Sequence, residues 1–307
     1  MTAVNRTCVL FLPDSPRSVR TKGQLLLGSE WEDAIEAFLL GQAAAGIAAT
    51  SRKSRRQHLG HLARNVFEGP WAVTTDDIAG YMASMNWAQE TRRGRRNTFE
   101  AFYAWAVKTG RTTVNPASDI AKVRPTDPRP RPVPDSIYLA ALARADDDER
   151  LWIDLAAEHG LRRAEVAVMH SDDIVPTMLG YDLIVHGKGA KVREVPLTRA
   201  MSEALLARVE RDGRGYLFRG DDEGHVSPWW VGKRVARLLS PPWTMHKLRH
   251  RAATRFYAAA EGDAYVVADL MGWANINMVK VYVYLPNDRK RAIVEGASRV
   301  GAPLARV

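Results

Sequence analysis

The chain has 307 residues, 46% hydrophobic and 26% charged, with 44 Lys and Arg against 35 Asp and Glu for a net charge of +9. That length and hydrophobic share allow two domains with real cores and exclude a disordered tail, and no uncharged apolar run reaches membrane-spanning length. One cysteine, Cys8, excludes an intrachain disulfide and a CxxC metal pattern; with no secretory leader it predicts a reducing, cytoplasmic setting, while the basic balance attracts polyanions, nucleic acid first.

The first helix is expected from Ser29, where Ser29 and Glu32 have capping-box spacing and Trp31, Ala34, Ile35, Phe38 and Leu39 recur at helical intervals. Three more helices follow, over about residues 51–66, 75–85 and 91–108, the last closed by Gly110. Two of the four open on basic clusters, Arg52, Lys53, Arg55 and Arg56 in one and Arg92, Arg93, Arg95 and Arg96 in the other. A helix N-terminus favours phosphate, so these residues are candidate contacts to a DNA backbone, with a solvated charged face as the alternative.

"RPTDPRPRPVPD", residues 124–135, interleaves proline with arginine and cannot be helical, so it reads as a linker. Lys and Arg outnumber Asp and Glu by 18 to 12 in residues 1–130 and by 26 to 23 beyond, which concentrates the positive charge in the front segment. After the linker the pattern turns mixed. Helices are expected over 136–144 and 149–159, two short strands around a glycine turn within 181–197, then helices over 198–211, 228–239 and 246–260.

Four stretches carry candidate chemistry: "HGLRRAEVAVMHSDDI" from 159, "HGKGAKVREVPL" from 186, "MHKLRHRAATRFY" from 245 and "LMGWANINMVKVYVYL" from 270. Each alone has a bland explanation, as a surface cation, a hairpin turn, a solvated helix face or core packing. His246 and Arg249 lie one helical turn apart on one face. Taken together and in this order, the stretches resemble the tyrosine recombinase (phage integrase) family, over roughly residues 135–290.

The resemblance implies a mainly α fold with a small β-sheet: an N-terminal extension 1–28, a helical core-type DNA-binding domain 29–123, the linker 124–135, an α+β catalytic domain 136–290 and a tail 291–307. It implies Tyr282 as nucleophile, Arg162, Lys188, His246, Arg249 and Trp273 as its catalytic partners, and Glu165 in support of Arg162. Trp273 stands where histidine is more frequent, and Arg251 where threonine is. Lys191 and Arg193 are expected phosphate contacts or exposed strand cations; His159, His170, His186 and His225 carry no catalytic assignment, and Tyr284 is expected to pack.

The chemistry suits these residue types. A tyrosine attacking a phosphodiester keeps the bond energy in a 3′-phosphotyrosine link that a 5′-hydroxyl can reverse, so no cofactor or metal is expected. Arginine forks neutralise the non-bridging oxygens, and an indole N–H can donate to one but cannot serve as a base. The expected function is site-specific recombination in phage or mobile-element integration and excision. Xer-like resolution of chromosome dimers, a type IB topoisomerase-like activity and an inactive DNA-binding protein are the alternatives. With about 28 residues ahead of the first helix, no arm-binding domain is expected. The expected partners are double-stranded DNA core or attachment sites, further copies in a tetramer on DNA, and a directionality factor, without a membrane; the tail is expected to form a short helix that docks on a neighbouring subunit.

Overall fold

Apolar residues at helical spacing make the front of the chain a helical unit, Met1–Thr126, which a computed structural model separates from a second unit, Asp127–Val307. The structure describes residues 28–126, 130–187, 191–285 and 287–298.

The first unit holds α1 Ser29–Ala44, α2 Ala49–Ala63, α3 Thr75–Ser84 and α4 Gln89–Lys108. The buried face of α1 is Trp31, Ala34, Ile35, Phe38 and Leu39, as the spacing predicts. The expected capping box at Ser29 is not formed. Gly28 is the cap and Ser29 is already helical, and only a residue with non-helical backbone can aim its side chain at the free N–H groups of the first turn. A true box forms at α3, where Thr74 Oγ1 accepts from Asp77 N at 3.2 Å and Thr74 N donates to Asp77 Oδ2 at 2.8 Å. Phe102 centres the core, edge-on to Phe38 at 5.4 Å and stacked with Trp71 at 5.9 Å.

The second unit begins with α5 Asp135–Leu142, α6 Asp147–Ala157 and the short α7 Arg163–Ala167. An antiparallel sheet follows, β1 Ile174–Thr177, β2 Gly180–His186 and β3 Val192–Pro196, in the order β1-β2-β3. Ile174 pairs with Leu183 and Leu183 with Val195, which lays one buried row across the sheet. Strand side chains alternate, so Arg193, two residues before Val195, falls on that same inner face.

Then come α8 Arg199–Asp212, β4 Arg219–Asp222, α9 Pro228–Leu239, α10 Met245–Ala259, α11 Ala264–Met271, α12 Met278–Tyr282 and α13 Asn287–Ser298. The expected helices of this half lie within a few residues of their predicted ends; β1, β4, α7, α11 and α12 are additional. A main core of Trp152, Ile153, Leu161, Leu183, Phe218, Val235 and Leu248 joins helices to sheet. A smaller cluster, Ala253, Val267, Met271, Tyr282 and Val283, forms where α10, α11 and α12 meet. No helix among the described residues is long and apolar enough to cross a membrane.

Arg251 joins three pieces of this unit. Its guanidinium, 5% exposed, bonds Asp135 Oδ1 at 3.0 Å, Ala157 O at 3.2 Å and Glu158 Oε1 at 2.7 Å, and lies 4.2 Å over the Tyr138 ring. Asp135 and Glu158 keep 69% and 33% of their side chains exposed and can be solvated, but Ala157 O and the Tyr138 ring lose their buried partner, so Arg251→Ala is expected to lower unfolding stability by about 1–3 kcal/mol in urea titration. Arg199→Ala, which removes an exposed pair with Glu203, is expected to leave the midpoint unmoved.

Candidate active site

The site is organised by a carboxylate. Glu165 lies in the first turn of α7 and folds back over the helix start, where Oε2 accepts from Arg162 N at 2.8 Å and Oε1 from Arg162 Nη1 at 2.6 Å. Arg193 on β3 donates to both oxygens, Nη1 to Oε1 at 3.0 Å and Nη2 to Oε2 at 2.8 Å, and Arg249 on α10 comes within 3.9 Å. Burial works to raise the Glu165 pKa, but the bonds and charge of Arg193, the Arg162 N–H and the Arg162 charge outweigh it and hold the carboxyl at about 2.

Arg249 is 0% exposed and donates to the carbonyls of Gly160 and Met271. Gly160 has φ +69°, and a Cβ there would meet Met271 Sδ at 2.7 Å, so a side chain would be both strained and blocked. Burial, then the Arg162 charge, lowers the Arg249 pKa while Glu165 opposes; a guanidinium nonetheless stays charged at neutral pH. Arg162 keeps 39% of its side chain exposed. It lines both a cavity of about 650 Å³ with Arg163, Trp229, Lys233, His246 and Arg249, and a second of about 380 Å³ with Lys191, Arg193, Gly272 and Trp273.

Tyr282 is the last residue of α12 and is 7% exposed. Its ring centroid is 5.3 Å from His246, 4.5 Å from His250 in a 22° stack, 4.9 Å from Trp273, and 5.9 Å from the Arg249 guanidinium carbon. Thr254 tethers the chain beyond it: its hydroxyl donates to His250 O at 2.9 Å and accepts from Tyr284 N at 3.1 Å. Tyr284 does not pack as expected. The chain leaves the helix at Val283 with extended backbone, and Tyr284 is 49% exposed.

His250 was not expected here, although it stands four residues after His246 on one helix face, a spacing that makes side-chain neighbours. Burial, then the nearby His246 and Lys247, pushes its pKa down to about 4. His246 is lowered too, by desolvation of its ring first and then by Arg249 and Lys247, although its side chain stays open to the cavity. Both imidazoles are therefore neutral at neutral pH. Trp273 Nε1 is a buried donor with no acceptor among the described residues, a condition that costs about 1–3 kcal/mol unless an acceptor is supplied. The ensemble offers a cationic cradle, a phenol, two neutral imidazoles and a free indole donor. Lys188 lies outside the described residues, and Lys191 is exposed on the second cavity.

Arg193 is neither an exposed strand cation nor free for phosphate, because the register turns it inward onto Glu165. In the first unit, Arg96 is 5% exposed and holds Ile120 O at 2.9 Å, and Arg92 donates to Met82 O at 2.6 Å and Met85 O at 2.9 Å at the end of α3. Those two are structural. A helix of this pitch turns some of any four-residue basic run toward the core, where an arginine serves carbonyls instead of phosphates. Arg55 and Arg56 pair with Gln42 and Glu36, Arg52 with Ile47 O, Arg93 with Glu90, and Arg95 lies 4.3 Å over the Trp87 ring. Lys53 is exposed.

Tyrosine recombinase XerD of Ralstonia nicotianae is 26% identical over 239 residues, with 71% of this chain and 77% of that protein covered. Tyrosine recombinase XerC 2 of the same organism is 27% identical, with 90% of this chain and 87% of that protein covered. The lambda integrase tetramer bound to a Holliday junction superposes with a TM-score of 0.65 at 21% identity, covering 80% of this chain and 77% of that one, a likeness of fold. The phage integrase family profile matches residues 135–288, half of the chain and nearly all of the second unit through the tyrosine pair, and on that match the chain belongs to the phage integrase family.

Proposed function

We propose that this chain, a tyrosine recombinase, cuts and rejoins DNA at a specific core site through a 3′-phosphotyrosine link formed by Tyr282, and serves integration and excision of a mobile element. The observation that supports this most is the seating of one phenol against His246, His250, Trp273 and the Arg249 guanidinium, beside the cavities that Arg162 lines. Tyr282 Oη forms a bond to phosphorus, the bond to the 5′-oxygen breaks, and the strand end leaves as a 5′-hydroxyl. His246, neutral at neutral pH, takes the phenol proton, and Lys188 supplies one to the leaving oxygen. Arg162 and Arg249 neutralise the non-bridging oxygens, and Trp273 donates its indole N–H to one of them.

The first unit is assigned to core DNA binding through Lys53 and the exposed parts of Arg52, Arg55, Arg56, Arg93 and Arg95. Four copies on two sites would exchange strands, as the tetrameric lambda integrase on a Holliday junction suggests by analogy, and α13 is the segment assigned to a neighbouring copy. Xer-like resolution of chromosome dimers is the second reading, favoured by the breadth of the match to XerC 2. Integration on paired attachment sites against resolution of directly repeated sites in one plasmid separates the two.

On nicked core-site DNA, Tyr282→Phe is expected to abolish the covalent adduct and Tyr284→Phe to keep it within about twofold of wild type, read on denaturing gels. The reverse pattern moves the nucleophile. Trp273→Phe removes the donor and keeps the ring, so single-turnover cleavage should slow by about 10- to 1,000-fold with little change in DNA affinity. A proton acceptor must be neutral, and protonation of His246 below its lowered pKa removes it. Cleavage should therefore rise with pH about a midpoint below the ordinary histidine value of about 6.5 and level off above it, measured as single-turnover rate against pH.

A further inference from the structure

Arg193 takes part in none of the steps above, yet it is built into the site more tightly than Arg162. Its side chain is 10% exposed. Its fork covers both oxygens of Glu165, and its Nε donates to Leu270 O at 3.2 Å. Gly272, in the left-handed region at φ +61°, leaves the space its stem occupies, since a Cβ there would lie 2.8 Å from Arg193 Cδ. One side chain thus ties β3 to the start of α7 and to the end of α11, next to Trp273.

We propose that Arg193 is a positioning residue: by saturating Glu165 it leaves Arg162 held through a single guanidinium nitrogen and free to turn the rest toward the scissile phosphate. The identity of that anion rests on the recombinase reading. Among the described residues, the hydrogen bond from the Arg162 guanidinium is the one from Nη1. A two-point fork on a carboxylate is the stronger arrangement, and Arg193 already holds it. Without Arg193, the buried Glu165 either draws Arg162 into the vacant fork or takes up a proton. The first response withdraws Arg162 from a ligand, and the second removes the carboxylate charge that aims it. The charged and titratable groups facing Glu165 are Arg162 at the start of α7, Arg193 on β3 and Arg249 on α10, with Asp173 and His186 across a small cavity beside it.

The test compares wild type, Arg193→Gln and Arg193→Lys in the full chain. Single-turnover adduct formation on nicked core-site DNA should fall by about 10- to 100-fold in Arg193→Gln and recover partly in Arg193→Lys, while gel-shift affinity stays within about twofold. Carboxyl ¹³C NMR of selectively labelled protein, which needs no DNA, should show Glu165 titrating near 2 in the wild type and higher in Arg193→Gln. Equal cleavage by both variants, an unmoved carboxyl titration, or parallel loss of cleavage, DNA affinity and thermal midpoint each overturns the proposal. Failure of the wild type itself to form an adduct counts against the recombinase reading, and the carboxyl titration then still decides the role of Arg193.

Discussion

A buried carboxylate is the constraint on which the second unit's site depends. Taking an ionised group out of water costs several kcal/mol, recovered only with good geometry and full hydrogen bonding. Glu165 meets that condition by drawing arginines from α7, β3 and α10 to one point. Helix, sheet and C-terminal half are thereby locked in one arrangement. Three guanidinium groups around one carboxylate also leave an excess of positive charge, and that excess faces the two cavities. The same interaction that orders the fold supplies an electrostatic field suited to a phosphodiester.

Tyr282 depends on a different support. Its helix has five residues, too few to hold a side chain in place by backbone hydrogen bonds alone. Its position comes from the small cluster with Ala253, Val267 and Met271, the stack on His250 and the Thr254 tether. Met271 serves both parts of the site: its side chain belongs to the tyrosine cluster, and its carbonyl accepts from Arg249. A shift of α11 would therefore be felt by the arginine and the tyrosine together.

The first unit shows why charge alone is a poor guide to contact. The eight residues of the two basic clusters on α2 and α4 look alike in composition, yet they divide by which way the helix turns them. Arg92 and Arg96 serve carbonyls at the end of α3 and in the segment after α4, a use of arginine that depends on its planar fork. Arg52 likewise serves Ile47 O and Arg95 lies over the Trp87 ring, while Arg56 and Arg93 sit in exposed ion pairs that a polyanion could displace.

Much of this protein is set by its sequence alone. Helical periodicity determined the four front helices and most of those behind, because burying one face is a local demand on spacing. The order of Arg162, Glu165, His246, Arg249, Trp273 and Tyr282 likewise pointed to one family. Arg193 was legible too: strict alternation from Val195 places it on the inner face, and its charge masked that signal. Tertiary structure decided what composition could not express. Arg249, though charged, is fully buried because carbonyls from two distant turns meet it. Tyr282 and Tyr284, two residues apart, are separated into a seated phenol and a half-exposed one, because a five-residue helix ends between them against a core assembled from elsewhere in the chain.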